Sequence, residues 1–475
     1  MKDTRNQKVG KVIAVRGPVV DIEFEKAEDI PNLYQRVKTT TFNGREIVLE
    51  ISEHLGNNIA RCMALASTLN LQRNTKVFSL GDSVSVPVGK ELFGRIINVV
   101  GQPIDNRGEL KSRTTRVVQK GTPNLHLNAN HQAYHKFEVL ETGIKILDLL
   151  FPIIKGSKNG ILGGAALGKT ILVLELIYRI VKKHKGSCVF IGAGERIREG
   201  NELYYELKKQ GVLDRVMMAF GQMNESPGAR FEIVSTGITL AEYLQSQFQD
   251  VLLFIDNVYR FVQAGAEIST LLGRVPSETG YQPTLASEVG NFHEKISSRM
   301  GSFITAIEAI YVPADDITDS AVVTILSYLD SILVLSREKV QLGLYPAIDP
   351  LASSCSNLDP LIVGERHFKI SQEVLKTLTE FKQLERIASI IGIEELSKSD
   401  QILYKRAKKL QNFLTQPFFT AEVYTGRKGE YVPLADTLQG CEMIISGRAD
   451  LIPEEKLYMI GSLKETDINT DKKAD

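Results

Sequence analysis

The chain has 475 residues, of which 43% are hydrophobic, so it can bury the cores of several domains. Lysine plus arginine and aspartate plus glutamate number 57 each, which leaves a net charge of zero. This balance disfavours a nucleic-acid partner and any general attraction to anionic lipid. The cysteines are far apart, with no spacing typical of a metal site, and predict buried thiols in a reducing compartment. They are Cys62, Cys188, Cys355 and Cys441.

The polar N-terminus carries no apolar leader, and no apolar run approaches the ~20 residues that a membrane helix needs. We therefore expect a cytoplasmic protein that meets a membrane only through other proteins.

Three patterns follow one another along the chain. Residues 1–82 contain short β-branched segments separated by turn residues, which predict a small N-terminal β-barrel. Residues 83–363 alternate apolar strand runs with helical stretches, which is typical of an α/β core built on a parallel sheet. Residues 364–475 space apolar side chains by three and four, as in Val374, Leu378 and Phe381. They predict a C-terminal helical domain that ends in a polar tail.

The strongest local signal is a glycine-rich segment that satisfies the pattern G-x-x-x-x-G-K-[ST]. In such a loop, backbone N–H groups surround a phosphate, the lysine reaches the outer phosphates and the threonine hydroxyl can bind Mg²⁺. A short strand precedes the segment and an apolar helix follows it, as this interpretation requires. The candidate phosphate-binding residues are Gly163, Gly164, Ala165, Ala166, Leu167, Gly168, Lys169 and Thr170.

Two further apolar strands end in charged residues. The run before Asp256 predicts a Walker B strand whose carboxylate joins Thr170 around Mg²⁺; the alternative is an aspartate that caps the next turn. The strand before Glu195 places a carboxylate where it can orient the attacking water. Arg196 and Arg260 are candidates to neutralise charge on the γ-phosphate, although a solvated loop pair would look the same.

Several longer motifs resemble those of the catalytic beta subunit of F-type rotary ATP synthases, in the same order along nearly the whole chain. They are residues 93–105, 163–170, 192–201, 221–230, 280–285, 311–316, 345–350 and 416–418.

This resemblance implies a P-loop NTPase core with a RecA-like sheet, a hexameric ring with alpha-type subunits and a central-stalk rotor. An alpha-type neighbour would supply the arginine finger, and partner subunits would hold the ring on the inner face of the cell membrane. The ligands would be ATP or ADP with Mg²⁺. Glu195 indicates a catalytic chain, because the family's non-catalytic alpha subunit carries glutamine there.

The resemblance also assigns roles to individual residues. Catalysis would involve Lys169, Glu195, Arg196 and Arg260. The magnesium shell would be formed by Thr170, Glu199 and Asp256. The adenine pocket would be formed by Tyr345, Phe418, Ala421 and Tyr424, since an aromatic face suits a flat base.

The chain departs from the family pattern at several places. Ala166 and Leu167 replace Gly-Val in the phosphate loop, and Ala166 would carry strain if its φ were positive. The segment 394–400 has lost two acids of the rotor-facing loop and gained Lys398. Ala352 and Phe368 lie among changes that predict a weakened second nucleotide site at the non-catalytic interface.

These departures leave two functions open. One is the catalytic subunit of a proton-translocating synthase. The other is a divergent paralogue, like the F-type-like ATPases of mycoplasmas, that drives another machine such as gliding. A nucleotide-binding scaffold with little turnover is disfavoured by Glu195 and Lys169. RNA-translocating helicases and type III secretion ATPases share the core but fit the motifs less well.

Overall fold

The computed structural model describes residues 8–118, 137–164, 166–247, 250–296 and 302–464, so the end of the predicted polar tail lies outside the described residues. The strands are β1 (Val9–Arg16), β2 (Val19–Phe24), β3 (Gln35–Thr40), β4 (Glu46–Gly56), β5 (Ile59–Ala64), β6 (Lys76–Ser83), β7 (Ser85–Val88), β8 (Ile96–Ile97), β9 (Thr114–Val117), β10 (Lys158–Leu162), β11 (Ser187–Glu195), β12 (Val216–Gln222), β13 (Val251–Asp256), β14 (Ile304–Ile310), β15 (Ser331–Val334) and β16 (Ser354–Cys355).

The helices are α1 (Lys145–Leu150), α2 (Lys169–His184), α3 (Ile197–Lys209), α4 (Pro227–Ser246), α5 (Val258–Leu271), α6 (Leu285–His293), α7 (Ser320–Leu326), α8 (Arg337–Gln341), α9 (Pro360–Val363), α10 (Glu365–Ile391), α11 (Lys398–Phe413), α12 (Glu422–Thr425) and α13 (Leu434–Ile445).

The chain divides into two compact units. Unit 1 comprises Met1–Leu127, Gly186–Ile310 and Asp316–Tyr328, and unit 2 comprises Asn128–Lys185, Tyr311–Asp315 and Leu329–Asp475. The domain boundaries expected at residues 82 and 363 stay a prediction.

Unit 1 begins with a closed β-barrel in the order β1-β2-β5-β4-β3-β6. Its strands alternate inward apolar and outward polar side chains, and Val12, Ile22 and Leu49 are among the fully buried residues of its core. Closure pairs both edges of the sheet, which removes the unpaired backbone groups that an open edge would expose. The predicted N-terminal barrel is confirmed.

The rest of unit 1 is an α/β region with strand order β14-β13-β11-β12-β8. Strand β11 pairs in parallel with both β12 and β13, and Gly192 of β11 lies opposite Asp256 of β13. The strands are buried along nearly their whole length because helices such as α4 pack on them, as their continuous apolar runs predict. The carboxyl ends of β11 and β13 therefore meet at one edge.

Unit 2 pairs β10 in parallel with β15, with the short β16 antiparallel to β15. The long helices α10, α11 and α13 form the C-terminal helical region, with Phe381, Tyr404 and Ala407 in one of its clusters. The predicted fold class, an N-terminal barrel, an α/β core with parallel strands and a C-terminal helical domain, is confirmed. No helix in the described ranges is long and apolar enough to cross a membrane.

Three of the cysteine thiols are buried as predicted, those of Cys62, Cys188 and Cys441. Cys355 is only partly buried, so the prediction was wrong for that residue. The reason is its place on β16, a two-residue strand at the edge of its sheet.

Candidate nucleotide site

The phosphate loop in unit 2 connects the end of β10 to the start of α2. Gly163 is buried, and its carbonyl accepts a hydrogen bond of 2.8 Å from the Lys169 Nζ. Gly168 is the N-cap of α2 and has no side chain to cap the first-turn N–H groups, and the Thr170 side chain that follows is exposed. Helix N-termini with such N–H groups bind anions. Ala165, another predicted loop residue, lies outside the described residues.

Ala166 has a left-handed backbone, with φ at 63°. A Cβ disfavours this region by about 1–2 kcal/mol, so the substitution singled out in the sequence does carry strain. Leu167 beside it is buried and anchors the loop, and Gly164 is buried as well. The loop therefore holds an alanine in a conformation that suits glycine.

Three carboxylates form an acidic cluster in unit 1: Glu195 at the end of β11, Asp256 at the end of β13 and Glu199 in the first turn of α3. Burial comes first among the causes that raise the pKa of Glu195 to about 9, followed by the charge of Asp256 and the hydrogen bond and charge of Glu199. Glu195 is thus a neutral acid at pH 7 in the chain alone. Carboxyls perturbed in this way are concentrated at functional sites.

The two candidate arginines differ in their surroundings. The charge of Arg260 acts on Glu195 and opposes the rise of its pKa. Its side chain crosses Gly194, where an added Cβ would lie 2.9 Å from the Arg260 Cβ, so only glycine permits the approach. Arg196 is the exposed N-cap residue of α3. The structure brings Arg260 to the acidic cluster and leaves the Arg196 side chain exposed.

The donors available for Mg²⁺ are oxygens only. In the ranges that the structure describes, no group of three or more His, Cys, Asp or Glu side chains is arranged to hold a metal ion. Magnesium is usually bound by one or two carboxylates together with substrate phosphates and not by an all-protein cage. The carboxylates of the acidic cluster in unit 1 and, separately, the hydroxyl of Thr170 in unit 2 carry oxygen atoms of the kind that Mg²⁺ prefers.

The predicted adenine contacts lie in unit 2 on residues 416–431, which we call the base segment, and at Tyr345. The Gln416 N–H donates to the Tyr345 carbonyl over 2.9 Å, which brings the two together. The rings of Tyr345 and Tyr424 are exposed, while Phe418 is buried and Ala421 ends a 3₁₀ turn after it. Tyr345 and Tyr424 therefore present exposed aromatic rings, whereas the Phe418 ring packs in the interior.

A buried ion pair on α2 was not predicted from the sequence. Glu175 and Arg179 lie one helical turn apart, and the Arg179 Nε is 2.7 Å from a Glu175 oxygen. Both side chains are almost completely buried. The signal that would have revealed them is an acidic and a basic residue at positions i and i+4 inside an otherwise apolar helix.

A parallel strand, a glycine-rich loop and a helix with an uncapped first turn define unit 2 as part of a P-loop nucleotide-binding protein. Comparison with known families agrees. The nucleotide-binding domain of the ATP synthase alpha/beta family matches residues 143–355, and the β-barrel domain of the same family matches residues 12–81. Together they cover more than half of the chain, which belongs to the ATP synthase alpha/beta family. The C-terminal domain of V and A type ATP synthase matches residues 357–457.

Membership in this family confirms the coarser part of the functional prediction. The chain is a nucleotide-binding subunit of a rotary ATPase. It binds ATP or ADP and is an ATPase-type enzyme. The family also indicates assembly with related subunits.

Proposed function

We propose that the chain is the catalytic, beta-type subunit of an F-type rotary ATPase. It binds MgATP at an interface with an alpha-type subunit of a hexameric ring and couples hydrolysis or synthesis of ATP to rotation of a central stalk, with proton transport as the coupled process. Partner subunits hold it on the inner face of the cell membrane. Three domains, with boundaries near residues 82 and 363, are part of this proposal.

The observation that carries the proposal is the position of Glu195 at the end of β11, beside Asp256 at the end of β13 and within reach of the Arg260 charge. The Glu195 pKa of about 9 keeps the carboxyl neutral at pH 7, and a group that orients and deprotonates water must be ionised. Positive charge near the acidic cluster lowers that pKa again. The Mg²⁺ that accompanies ATP and the arginine finger of an alpha-type subunit would bring such charge, so turnover would depend on substrate binding and assembly.

The remaining roles are those that the family resemblance implies, and they agree with the chemistry of the side chains. Lys169 binds the outer phosphates, while Arg196 and Arg260 offset the charge that develops on the γ-phosphate. The Mg²⁺ of the substrate neutralises phosphate charge, and Thr170, Glu199 and Asp256 are the side chains that would hold it.

The test is Glu195→Gln in the purified complex. We expect the ATP hydrolysis rate to fall by about 10²–10⁴-fold, the usual effect of removing a general base, while ATP still binds. Glu288→Gln is the matched control. Its carboxyl is also partly buried with a raised pKa, but it accepts hydrogen bonds from Gln282 and Thr284 and lies outside the acidic cluster. Full activity of the Glu195→Gln complex would refute the catalytic assignment and favour a nucleotide-binding scaffold.

A second candidate is a divergent rotary motor that drives another machine, such as gliding. Residues 394–400, which the family resemblance assigns to the rotor-facing loop, carry Lys398 in the first turn of α11, where Ser397 caps the helix by accepting from the Asp400 N–H. An exposed cation replaces an acid there and favours a rotor of different charge. The native complex distinguishes the two: a co-purifying membrane ring and stator support the synthase, whereas cytoskeletal or surface-machinery proteins support the second candidate.

A further inference from the structure

The helix that begins at the phosphate loop also carries the Glu175–Arg179 pair. Lys169 and Thr170 occupy the first turn of α2, and the ion pair follows on the buried face of the same helix. A straight α-helix transmits position along its length because its backbone hydrogen bonds are internal. Whatever Glu175 and Arg179 hold is therefore held at a fixed distance from the phosphate loop.

Glu175 holds the start of the 3₁₀ turn that follows Phe418. One carboxylate oxygen accepts from the Arg179 Nε and from the Phe419 N–H, over 2.7 and 3.1 Å. The other accepts from both the N–H and the hydroxyl of Thr420, each over 2.9 Å. Two successive backbone N–H groups are thus bound to one buried carboxylate, which fixes the chain direction just after the Phe418 ring.

Arg179 holds the far end of the base segment. Its Nη2 donates to the Glu430 carbonyl over 2.7 Å, and its Nη1 donates to the Gly143 carbonyl over 2.8 Å. The guanidinium carbon also lies 5.1 Å from the centre of the Phe419 ring and 5.8 Å from that of Tyr431. A lysine cannot replace this guanidinium, because a single ammonium group cannot donate from three separate nitrogens in the same plane.

Gln416 completes the attachment from the base segment itself. Its Nε2 donates to the carbonyls of Gly143 and Glu430, the same two that Arg179 binds, over 2.7 Å each. Its backbone N–H meets the Tyr345 carbonyl. The two ends of the base segment and Tyr345 are therefore connected to α2 through one buried network.

We propose that Glu175 and Arg179 are positioning residues that fix the base segment relative to the phosphate loop, so that the protein prefers a nucleoside triphosphate to inorganic triphosphate. This inference rests on the proposed function, since it takes the phosphate loop and the base segment to bind two ends of one nucleotide. Neither residue contacts the phosphates in this scheme. Their effect is confined to the base, whose contribution to affinity depends on preorganised aromatic contacts.

The test compares two ligands, MgATP and magnesium tripolyphosphate, by calorimetric titration of the full chain. In Arg179→Met we expect the ATP dissociation constant to rise about tenfold or more, with that of tripolyphosphate changed less than about twofold. Arg179→Lys should not restore the ratio of the two constants. Thr420→Val, which removes only one hydrogen bond to Glu175, should move the ratio in the same direction by a smaller factor and serves where the arginine variant does not fold.

Arg61→Met is the matched control, because Arg61 forms a bidentate pair with Asp21 in the barrel, far along the chain from the base segment. It should lower stability without changing the ratio. An unchanged ratio in the variants, with wild-type ATP binding intact, would overturn the positioning role alone. A wild-type chain that binds neither ligand would overturn both this inference and the proposed function.

Discussion

Two glutamates of this protein, one buried and one partly buried, have opposite surroundings. Glu175 on α2 meets a guanidinium, two backbone N–H groups and a hydroxyl, so each of its oxygens is satisfied. Glu195 at the end of β11 meets two other carboxylates, and its pKa is raised to about 9. The contrast separates a carboxylate whose charge is stabilised by hydrogen bonds and an ion pair from one whose charge is disfavoured by burial and by its acidic neighbours.

The largest expected effect on stability comes from leaving the Glu175 carboxylate without its ion-pair partner. Arg179→Met leaves the Glu175 charge buried without its partner, which should lower the free energy of unfolding by about 3–5 kcal/mol. The double variant Glu175→Gln/Arg179→Met removes both charges and should recover at least half of that loss. Urea unfolding of the single and double variants measures both values. A double variant no more stable than the single one would contradict this account.

Replacement of Glu195 should change the free energy of unfolding in the opposite direction. Without nucleotide and with a chelator present, Glu195→Gln should raise the free energy of unfolding by roughly 1–2 kcal/mol at pH 8, an amount discounted for the partial exposure of the side chain. The Glu195 carboxyl ionises near 4.5 when unfolded and near 9 when folded. Between these two pKa values the native state binds more protons than the unfolded state, so wild-type stability falls as the pH rises. The glutamine variant has no carboxyl at this position and lacks this pH dependence.

A comparison of wild type and Glu195→Gln at pH 4 tests whether the carboxylate charge causes the difference in stability. There the carboxyl is largely protonated in both states, and the two proteins should have nearly equal stability. Thermal unfolding curves across the pH range give the difference directly. A constant advantage of the glutamine variant at all pH values would show that packing, and not charge, separates the two proteins.

The smallest effect concerns the phosphate loop. Ala166→Gly removes a Cβ from a residue at φ 63° and should stabilise the loop by up to about 1 kcal/mol, since relief of strain outweighs the added freedom of the unfolded chain. The affinity for MgATP should rise by a factor of up to about five. Gly168→Ala is the inverse control, because Gly168 has φ at 87° and should lose affinity. Equal behaviour of the two variants would argue against backbone strain.

Much of the fold was predictable because its signals are local. The apolar runs of β11 and β13 predicted buried parallel strands, and the pattern from Gly163 to Thr170 predicted a loop between a strand and a helix. The same holds for the short strands of the barrel. The segment around Lys398 was read as a loop, but Ser397 caps α11 there, so the helix begins inside it.

The class of the protein and the candidate residues of its nucleotide site could be inferred from the sequence, since loop spacing and the residues at strand ends are local features. The behaviour of those residues could not be inferred in this way, because it depends on the tertiary structure. The sign of φ at Ala166, the raised pKa of Glu195 and the attachment of Thr420 to Glu175 depend on groups that meet in space. Electrostatic and hydrogen-bond energies follow distance and burial, and Thr420 lies 245 residues from Glu175 along the chain.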